Sequence, residues 1–387
     1  MQYEVDYEQL AQKDKDSFDI VDIRDEDSFE YGHIMGAVNI PVNIILDNLD
    51  KLPKNKELYL YCRVGTDSAK IAQQLRDRGF VAYSLNGGYM GWLQKHVTDN
   101  ITLDKQLRAE DSLRNKFRRE LLSKFCKAIK EYKLISPGDK IAVCISGGKD
   151  SMCMAKLFQE VKKHNKIPFD LEFLVMDPGY SKENREIIEQ NAKILGVPIT
   201  IFETNIFENV YHIAKSPCYM CARMRRGSLY SKAKQLGCNK IALGHHYDDV
   251  IETILMGVLY GAQVQTMMPK LHSNNFEGME LIRPMYLIRE QDVKRWRDYN
   301  DLHFIQCACK MTNTCSVDGG LDSNVGSKRK KVKNLIAKLS QEEQQVESNI
   351  FRSVEGVNLS TIISYKDKDG KIHSFLDDYD AQTNVGE

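Results

Sequence analysis

Five apolar residues, Ile141-Ala142-Val143-Cys144-Ile145, run directly into Ser146-Gly147-Gly148-Lys149-Asp150-Ser151, and Met152 to Val161 then follows a helical pattern. Few folds accommodate that order. An unbroken apolar run of strand length suits a parallel strand covered by helices on both faces. Glycines at its exit let backbone amides approach a ligand closely, and the following helix turns its positive end toward the same point. The hydroxyls of Ser146 and Ser151 and the ammonium of Lys149 add donors for phosphate oxygens. The hexamer is not the P-loop, which places four spacer residues before Gly-Lys-Ser/Thr. Lys140–Ile145, Leu171–Met176, Pro198–Phe202 and Lys240–Leu243 read as strands separated by helical stretches. That alternation predicts an α/β fold with a doubly wound parallel sheet.

A second, smaller α/β unit precedes it. Ile20-Val21-Asp22-Ile23, Leu58-Tyr59-Leu60-Tyr61 and Val81-Ala82-Tyr83-Ser84-Leu85 read as buried strands, and Ser68 to Arg78 as a helix ended by Gly79. Residues 103–134 contain no Gly or Pro and predict one long charged helix, stopped by Pro137-Gly138-Asp139. The expected order is a first domain over 1–100, a basic linking helix over 101–137, a nucleotide-binding domain over 138–355 and a polar tail over 356–387. One more polar helix is expected over 329–352.

Composition narrows the setting. No apolar run approaches the roughly 20 residues of a membrane span, and the N-terminus lacks the layout of a signal peptide. Ten cysteines without an export signal suggest thiols, metal ligands or redox chemistry in the cytoplasm rather than a disulfide framework. The net charge of zero hides an asymmetry. Residues 1–100 carry 11 basic and 17 acidic side chains, and the remainder carries 43 and 37. The basic residues cluster in Lys105–Lys133 and Lys328–Lys333, which as a charge pattern alone is a weak sign of RNA binding.

Cys62-Arg63-Val64-Gly65-Thr66-Asp67-Ser68 lies between a predicted strand and a predicted helix, where converging amides and the helix end favour a thiolate. A lone cysteine at a strand end is more often structural, but its surroundings change that reading. Asp22-Ile23-Arg24, then Glu30-Tyr31-Gly32-His33-Ile34-Met35-Gly36-Ala37-Val38-Asn39-Ile40-Pro41, then Asn86-Gly87-Gly88 with Trp92, resemble a single-domain rhodanese over about the first hundred residues. The resemblance implies that Cys62 carries a persulfide. Many rhodaneses have Arg where this loop has Asp67, which points to a persulfide relay more than to thiosulfate turnover.

Gly244-His245-His246-Tyr247-Asp248-Asp249 follows the last predicted strand, so Asp248 and Asp249 are candidates to hold Mg²⁺ or position the nucleotide. The alternative is a helix N-cap followed by a first-turn acid. Pro217-Cys218-Tyr219-Met220-Cys221 is a C-x-x-C pair followed by Arg223, Arg225 and Arg226, and Cys307, Cys309 and Cys315 lie far downstream. Four thiolates suit structural Zn²⁺, three leave one iron of a [4Fe–4S] cluster open, and a redox dithiol is a third reading. Cys126, Cys144, Cys153 and Cys238 sit in apolar or helical patterns and read as packed side chains.

Ser146–Ser151 resembles the PP-loop of the N-type ATP pyrophosphatases, which adenylate a substrate and release pyrophosphate. From Asn115 to about Asn358 the chain is similar to the tRNA 2-thiocytidine biosynthesis proteins. The matching segments are Ser146–Ser151, Pro217–Cys221 with Arg223–Gly227, Ile241–Asp249, Arg283-Pro284 and Ile305-Gln306-Cys307. This resemblance implies ATP, Mg²⁺ and a three-cysteine [4Fe–4S] cluster, with Cys218, Cys221 and Cys307 at the ligand positions and tRNA as substrate. The family often continues with C-x-x-C at the third cysteine, whereas this chain has Cys307-Ala308-Cys309, so Cys309 and Cys315 stay open as third ligands.

The candidate catalytic residues are Cys62 and Asp150, and the candidate nucleotide residues are Ser146, Gly147, Gly148, Lys149, Asp150, Ser151, Asp248 and Asp249. The expected reaction is adenylation of a tRNA base, cytidine to 2-thiocytidine. Persulfide sulfur would pass from Cys62 to the cluster, and a donor such as a cysteine desulfurase would stand upstream. A homodimer is implied by resemblance only. Amidation of the lysidine-synthetase kind shares the loop but leaves Cys62 and the cysteine set without a role. A non-catalytic persulfide carrier or redox sensor would use ATP only as a ligand.

Overall fold

The computed structural model describes residues 3–11, 13–47, 49, 52–53, 55–99, 103–164, 167–206, 217–305, 323–377 and 379. Two compact units emerge. The first is Met1–Tyr247 with Met268–Ser323, and the second is Asp248–Met267 with Asn324–Glu387.

The first unit holds two sheets. Strands β1 (Glu4–Val5), β2 (Phe18–Asp22), β3 (Ala37–Asn39), β4 (Glu57–Tyr61) and β5 (Ala82–Leu85) form an all-parallel sheet in the order β1-β5-β4-β2-β3. Strands β6 (Lys140–Ile145), β7 (Asp170–Asp177), β8 (Ile199–Glu203), β9 (Lys240–Ala242), β10 (Lys270–His272) and β11 (Glu280–Ile282) form the other, ordered β10-β11-β9-β6-β7-β8. Only the β10–β11 pair is antiparallel. The period-two alternation of side chains sorts each strand between two cores. Ile20, Tyr59 and Leu85 join one cluster while Val21, Leu58, Leu60 and Ala82 join another on the opposite face. In β6, Ile141, Val143 and Ile145 face the first cluster, and Ala142 and Cys144 face a third with Leu174 and Ile241. The first cluster is continuous from Leu10 to Ile305, so both sheets rest on one core.

The strand order places the site. The chain leaves β6 for β7 and β8 on one side, and β9 returns on the other. Ligands of open parallel sheets bind at such a reversal, outside the carboxyl ends of the strands. Ser146–Ser151 starts there.

Two expected single helices are divided. The segment 103–134 forms Leu103–Arg114, a π-helical turn Arg118–Leu122 and Ser123–Glu131. The Phe117 amide bonds to Ser112 O, five residues back, at 2.8 Å, and the wider turn lets Leu113, Phe117, Leu121 and Phe125 all reach the core. Absence of Gly and Pro could not reveal that break. Its basic side chains divide between ion pairs and solvent. Lys105, Arg114 and Lys124 pair with Asp301, Glu160 and Asp292, while Lys116, Arg118, Arg119, Lys127 and Lys130 are exposed.

In the second unit, the polar segment 329–352 belongs to two helices, Ser323–Glu342 and Val346–Arg352. The strands Ser364–Lys366 and Ile372–Ser374 pair as an antiparallel hairpin in the polar tail. Among the described residues, no helix is long and apolar enough to cross a membrane.

Candidate functional site

The loop after β6 is held by its own hydroxyls. Ser146 N–H donates to Ser151 Oγ at 3.1 Å, the two serine hydroxyls lie 3.2 Å apart, and Ser151 Oγ donates to Gly148 O at 3.0 Å. Gly147 has φ +84°, and a Cβ there would lie 2.6 Å from Ile188 Cγ1 and 3.1 Å from Ile305 Cδ1. Both the backbone angle and the close approach therefore require glycine. The sixteen-residue helix Lys149–His164 begins inside the hexamer, so its free amides point into the turn. Gly244, after β9, packs on the same backbone, with its Cβ position 3.4 Å from Ser151 N.

Lys149 does not extend toward solvent. Its buried ammonium pairs with Asp150 Oδ2 at 2.9 Å and Glu290 Oε1 at 3.1 Å. Burial opposes the charge, but Asp150 and Glu290 outweigh burial and hold the lysine pKa above its ordinary value. In this arrangement its charge neutralises carboxylates rather than facing the loop as a free donor. Asp150 Oδ1 is buried and has no hydrogen-bond partner among the described residues. An orphaned carboxylate oxygen beside a phosphate cradle fits a hard divalent cation such as Mg²⁺.

Tyr31, the last residue of the helix Glu26–Tyr31, reaches this loop from the first sheet's side. Its hydroxyl donates to Ile305 O at 3.0 Å and accepts from Lys149 N–H at 3.3 Å. The Lys149 ammonium lies 5.2 Å from its ring centroid, and Arg297 donates to its carbonyl. Burial pushes the phenol up to about 12, against the pull of Lys149, so Tyr31 is a neutral donor at any working pH. Tyr31 stands in a motif that marks the first module, but nothing in that motif signals contact with the second. Glu290 and Arg297 carried no sequence signal.

Cys62 follows β4 and is 6% exposed. Gly65 N–H points at its sulfur from 3.1 Å, and Ser68 Oγ lies 3.5 Å away. The helix Thr66–Arg76 starts directly after, adding its positive end. Gly88, at φ +57°, closes the loop from behind: a Cβ there would sit 2.5 Å from Cys62 O and 2.7 Å from Gly65 N. Asp67 is half exposed and 3.9 Å from Lys70. A cavity of about 760 Å³ opens beside the loop, lined by Val64, Gly65 and Thr66 and by Asn86 and Gly87.

Asp248 and Asp249 both fall in the first turn of the helix Tyr247–Gly261, so neither is its N-cap. Within the second unit, Asp249 pairs with Arg329, which also bonds Glu252 Oε2 at 2.6 Å. Pro217 opens the helix Pro217–Gln235, whose first turn carries Cys218 and Cys221. The side chains of these two cysteines, and all of Cys307, Cys309 and Cys315, lie outside the described residues. Arg225 bonds the Tyr180 hydroxyl at 3.4 Å, and Arg223 and Arg226 are exposed. Cys144, Cys153 and Cys238 are buried, as expected for packed thiols, whereas Cys126 is exposed.

A second polar cluster joins the two sheets' helices. Asp301 accepts from Lys105 at 2.9 Å and lies 3.1 Å from His303 Nε2 and 3.5 Å from His96 Nε2; Trp92 stacks on His96. The His303 hydrogen bond, with His96 beside it, holds the Asp301 carboxyl well below its usual range. Burial lowers the His303 pKa from 6.5, against the pull of Asp301. Both shifts are downward, so both contributions are complete at neutral pH and fade with acid. Loss from His303 begins as pH falls through about 6.5. Thermal unfolding should therefore show a falling melting temperature between pH 7.5 and 5.5, with a shallower fall in His303→Gln.

A phosphate cradle at the reversal of a parallel sheet, entered from a rhodanese-type cysteine module, places the molecule among the PP-loop proteins. The Rhodanese-like domain family matches residues 6–95, and the PP-loop domain family matches residues 113–325, more than half of the chain. A tRNA-cytidine(32) 2-sulfurtransferase of Anaeromyxobacter dehalogenans is 33% identical over 243 residues, 62% of this chain and 80% of that protein. The protein of that name from Coxiella burnetii is also 33% identical, over 62% of this chain and 90% of its own length. That from Neisseria meningitidis serogroup C is 35% identical over 217 residues, 54% of this chain and 65% of its own. The chain belongs to this PP-loop family of tRNA-cytidine(32) 2-sulfurtransferases.

Proposed function

We propose that the chain is an ATP-dependent tRNA sulfurtransferase that converts a cytidine to 2-thiocytidine. The observation that supports this most is the loop Ser146–Ser151 at the sheet's reversal, with its converging amides and an Asp150 Oδ1 that has no hydrogen-bond partner among the described residues. Oxide is a poor leaving group, so the base oxygen must first be activated. The base's O2 attacks the α-phosphorus of ATP, pyrophosphate departs, and a sulfur nucleophile adds at C2. AMP then leaves with the original oxygen. The loop amides and the hydroxyls of Ser146 and Ser151 orient the polyphosphate, and Asp150 would hold Mg²⁺, which would supply positive charge for the departing pyrophosphate.

Cys62 carries the incoming sulfur as a persulfide, loaded by an external donor such as a cysteine desulfurase. The Gly65 amide and the helix end stabilise its anionic form. Sulfane sulfur must gain two electrons to become sulfide; an external pair of thiols would supply them and end as a disulfide. Cys218, Cys221 and Cys307 would hold a [4Fe–4S] cluster, which would supply a site for the incoming sulfur. The exposed bases Lys116, Arg118, Arg119, Lys127 and Lys130 would contact the RNA backbone.

The test is mass spectrometry of bulk tRNA nucleosides from a deletion strain, paired with pyrophosphate release by the purified protein. Loss of 2-thiocytidine and tRNA-dependent release are expected. Unchanged thionucleosides with tRNA-dependent release would point to amidation instead. Absence of release would leave a persulfide carrier or sensor.

A further inference from the structure

The Lys149 amide is one of the donors a polyphosphate would need, and in this structure Tyr31 Oη takes it. The same oxygen lies 3.1 Å from the Cβ position of Gly148, over the glycine that gives a phosphate room to approach. The loop's cation is turned aside as well, onto Asp150 and Glu290. Tyr31 thus lies on a phosphate-sized donor set.

Tyr31 also belongs to a run of contacts that reaches the sulfur loop. Gly32 follows it, and a Cβ at Gly32 would lie 2.6 Å from Tyr89 Oη. Tyr89 N–H in turn donates to Cys62 O at 2.9 Å. At its other end the Tyr31 hydroxyl holds Ile305 O, two residues before Cys307. Arg297 grips the Tyr31 carbonyl and so anchors the C-terminal end of the helix Glu26–Tyr31 beside the loop.

We infer that Tyr31 is a positioning residue that links the two modules by competition: its hydroxyl and the nucleotide's phosphates share the Lys149 amide. Through its bonds to the Lys149 amide and Ile305 O, the Tyr31 hydroxyl seats the sulfur module on the phosphate loop. Bound ATP takes the amide, displaces the hydroxyl and loosens that seat, so the cysteine module is freed when an acceptor is ready to be activated. Linkage is reciprocal, and the seated module weakens nucleotide binding by the same factor. This rests on the nucleotide reading given above.

The experiment titrates the full chain with Mg²⁺ and α,β-methylene-ATP, which cannot be adenylyl-transferred, by calorimetry. One hydrogen bond to a backbone amide predicts roughly two- to tenfold tighter binding for Tyr31→Phe. A merely structural tyrosine would instead give a lower melting temperature with unchanged or weaker binding, and that result overturns the inference. Hydrogen exchange of the unmodified protein decides the matter if the variant does not fold. Amides of residues 26–33 are expected to exchange faster with the nucleotide present, and unaltered exchange at saturation overturns the link. If the unmodified protein fails to bind the analogue, with or without tRNA, the nucleotide reading itself falls.

Discussion

A Cys62→Ala protein given a persulfide donor as its only sulfur source is expected to thiolate tRNA slower by about 10²-fold or more. The reason is chemical before it is structural. Among the described residues, the atoms aimed at the Cys62 sulfur are the Gly65 amide and the Ser68 hydroxyl. These stabilise an anion but cannot bond sulfane sulfur. Two companion measurements separate this step from the rest. Pyrophosphate release should persist in Cys62→Ala, since the proposed mechanism assigns it to the phosphate loop, and should be lost in Asp150→Asn. Supplying inorganic sulfide should restore thiolation to Cys62→Ala but not to Asp150→Asn. If Cys62→Ala thiolates at the unmodified rate from persulfide, the relay is wrong.

The other large effect is on stability. Glu110→Ala should lower the stability of the first unit by about 3–5 kcal/mol, read as a fall in the urea midpoint. Lys156 is fully buried on the helix Lys149–His164. Its ammonium donates to Glu110 Oε1 at 2.8 Å, Gln159 Oε1 at 2.8 Å and Leu195 O at 2.7 Å. Burial pushes the Glu110 carboxyl up, but bonds from Lys156, Lys163 and Gln106 prevail and bring it down to about 2. Burial likewise lowers the Lys156 pKa, and Glu110 is the partner that opposes it. Removing Glu110 would leave a buried ammonium without its anion. A paired Glu110→Leu/Lys156→Met replacement should recover most of the loss, since the desolvation cost disappears with both charges. Because the folded Glu110 pKa lies below the ordinary 4.5, the carboxylate's contribution is complete above that value and vanishes toward pH 2. The gap between Glu110→Ala and the unmodified protein should therefore be widest at neutral pH and narrow in acid.

Both modules were legible along the chain because their recognition depends on neighbours in sequence. A strand such as Ile141–Ile145 declares itself by an unbroken apolar run, and the turn at Gly147 by a backbone angle that only glycine adopts easily. The loop around Cys62 is likewise contained within seven residues. Helix continuity was less legible: the π turn at Arg118–Leu122 depends on where Phe117 finds a pocket, not on any breaker residue.

The sequence by itself determined two α/β modules, a rhodanese-like one with its cysteine loop and a PP-loop one with its glycine-rich hexamer. Local rules of burial, glycine geometry and helix ends suffice for each. Only the tertiary structure decided how they meet. It set Tyr31 on the Lys149 amide, turned Lys149 toward Glu290, and gathered His96, Lys105, Asp301 and His303 into one cluster. Tyr31 and Lys149 stand 118 residues apart, and Lys105 and Asp301 stand 196 apart. No periodicity or turn rule spans such distances. Those contacts follow from packing both sheets on one continuous core, and that core exists only once the chain has folded.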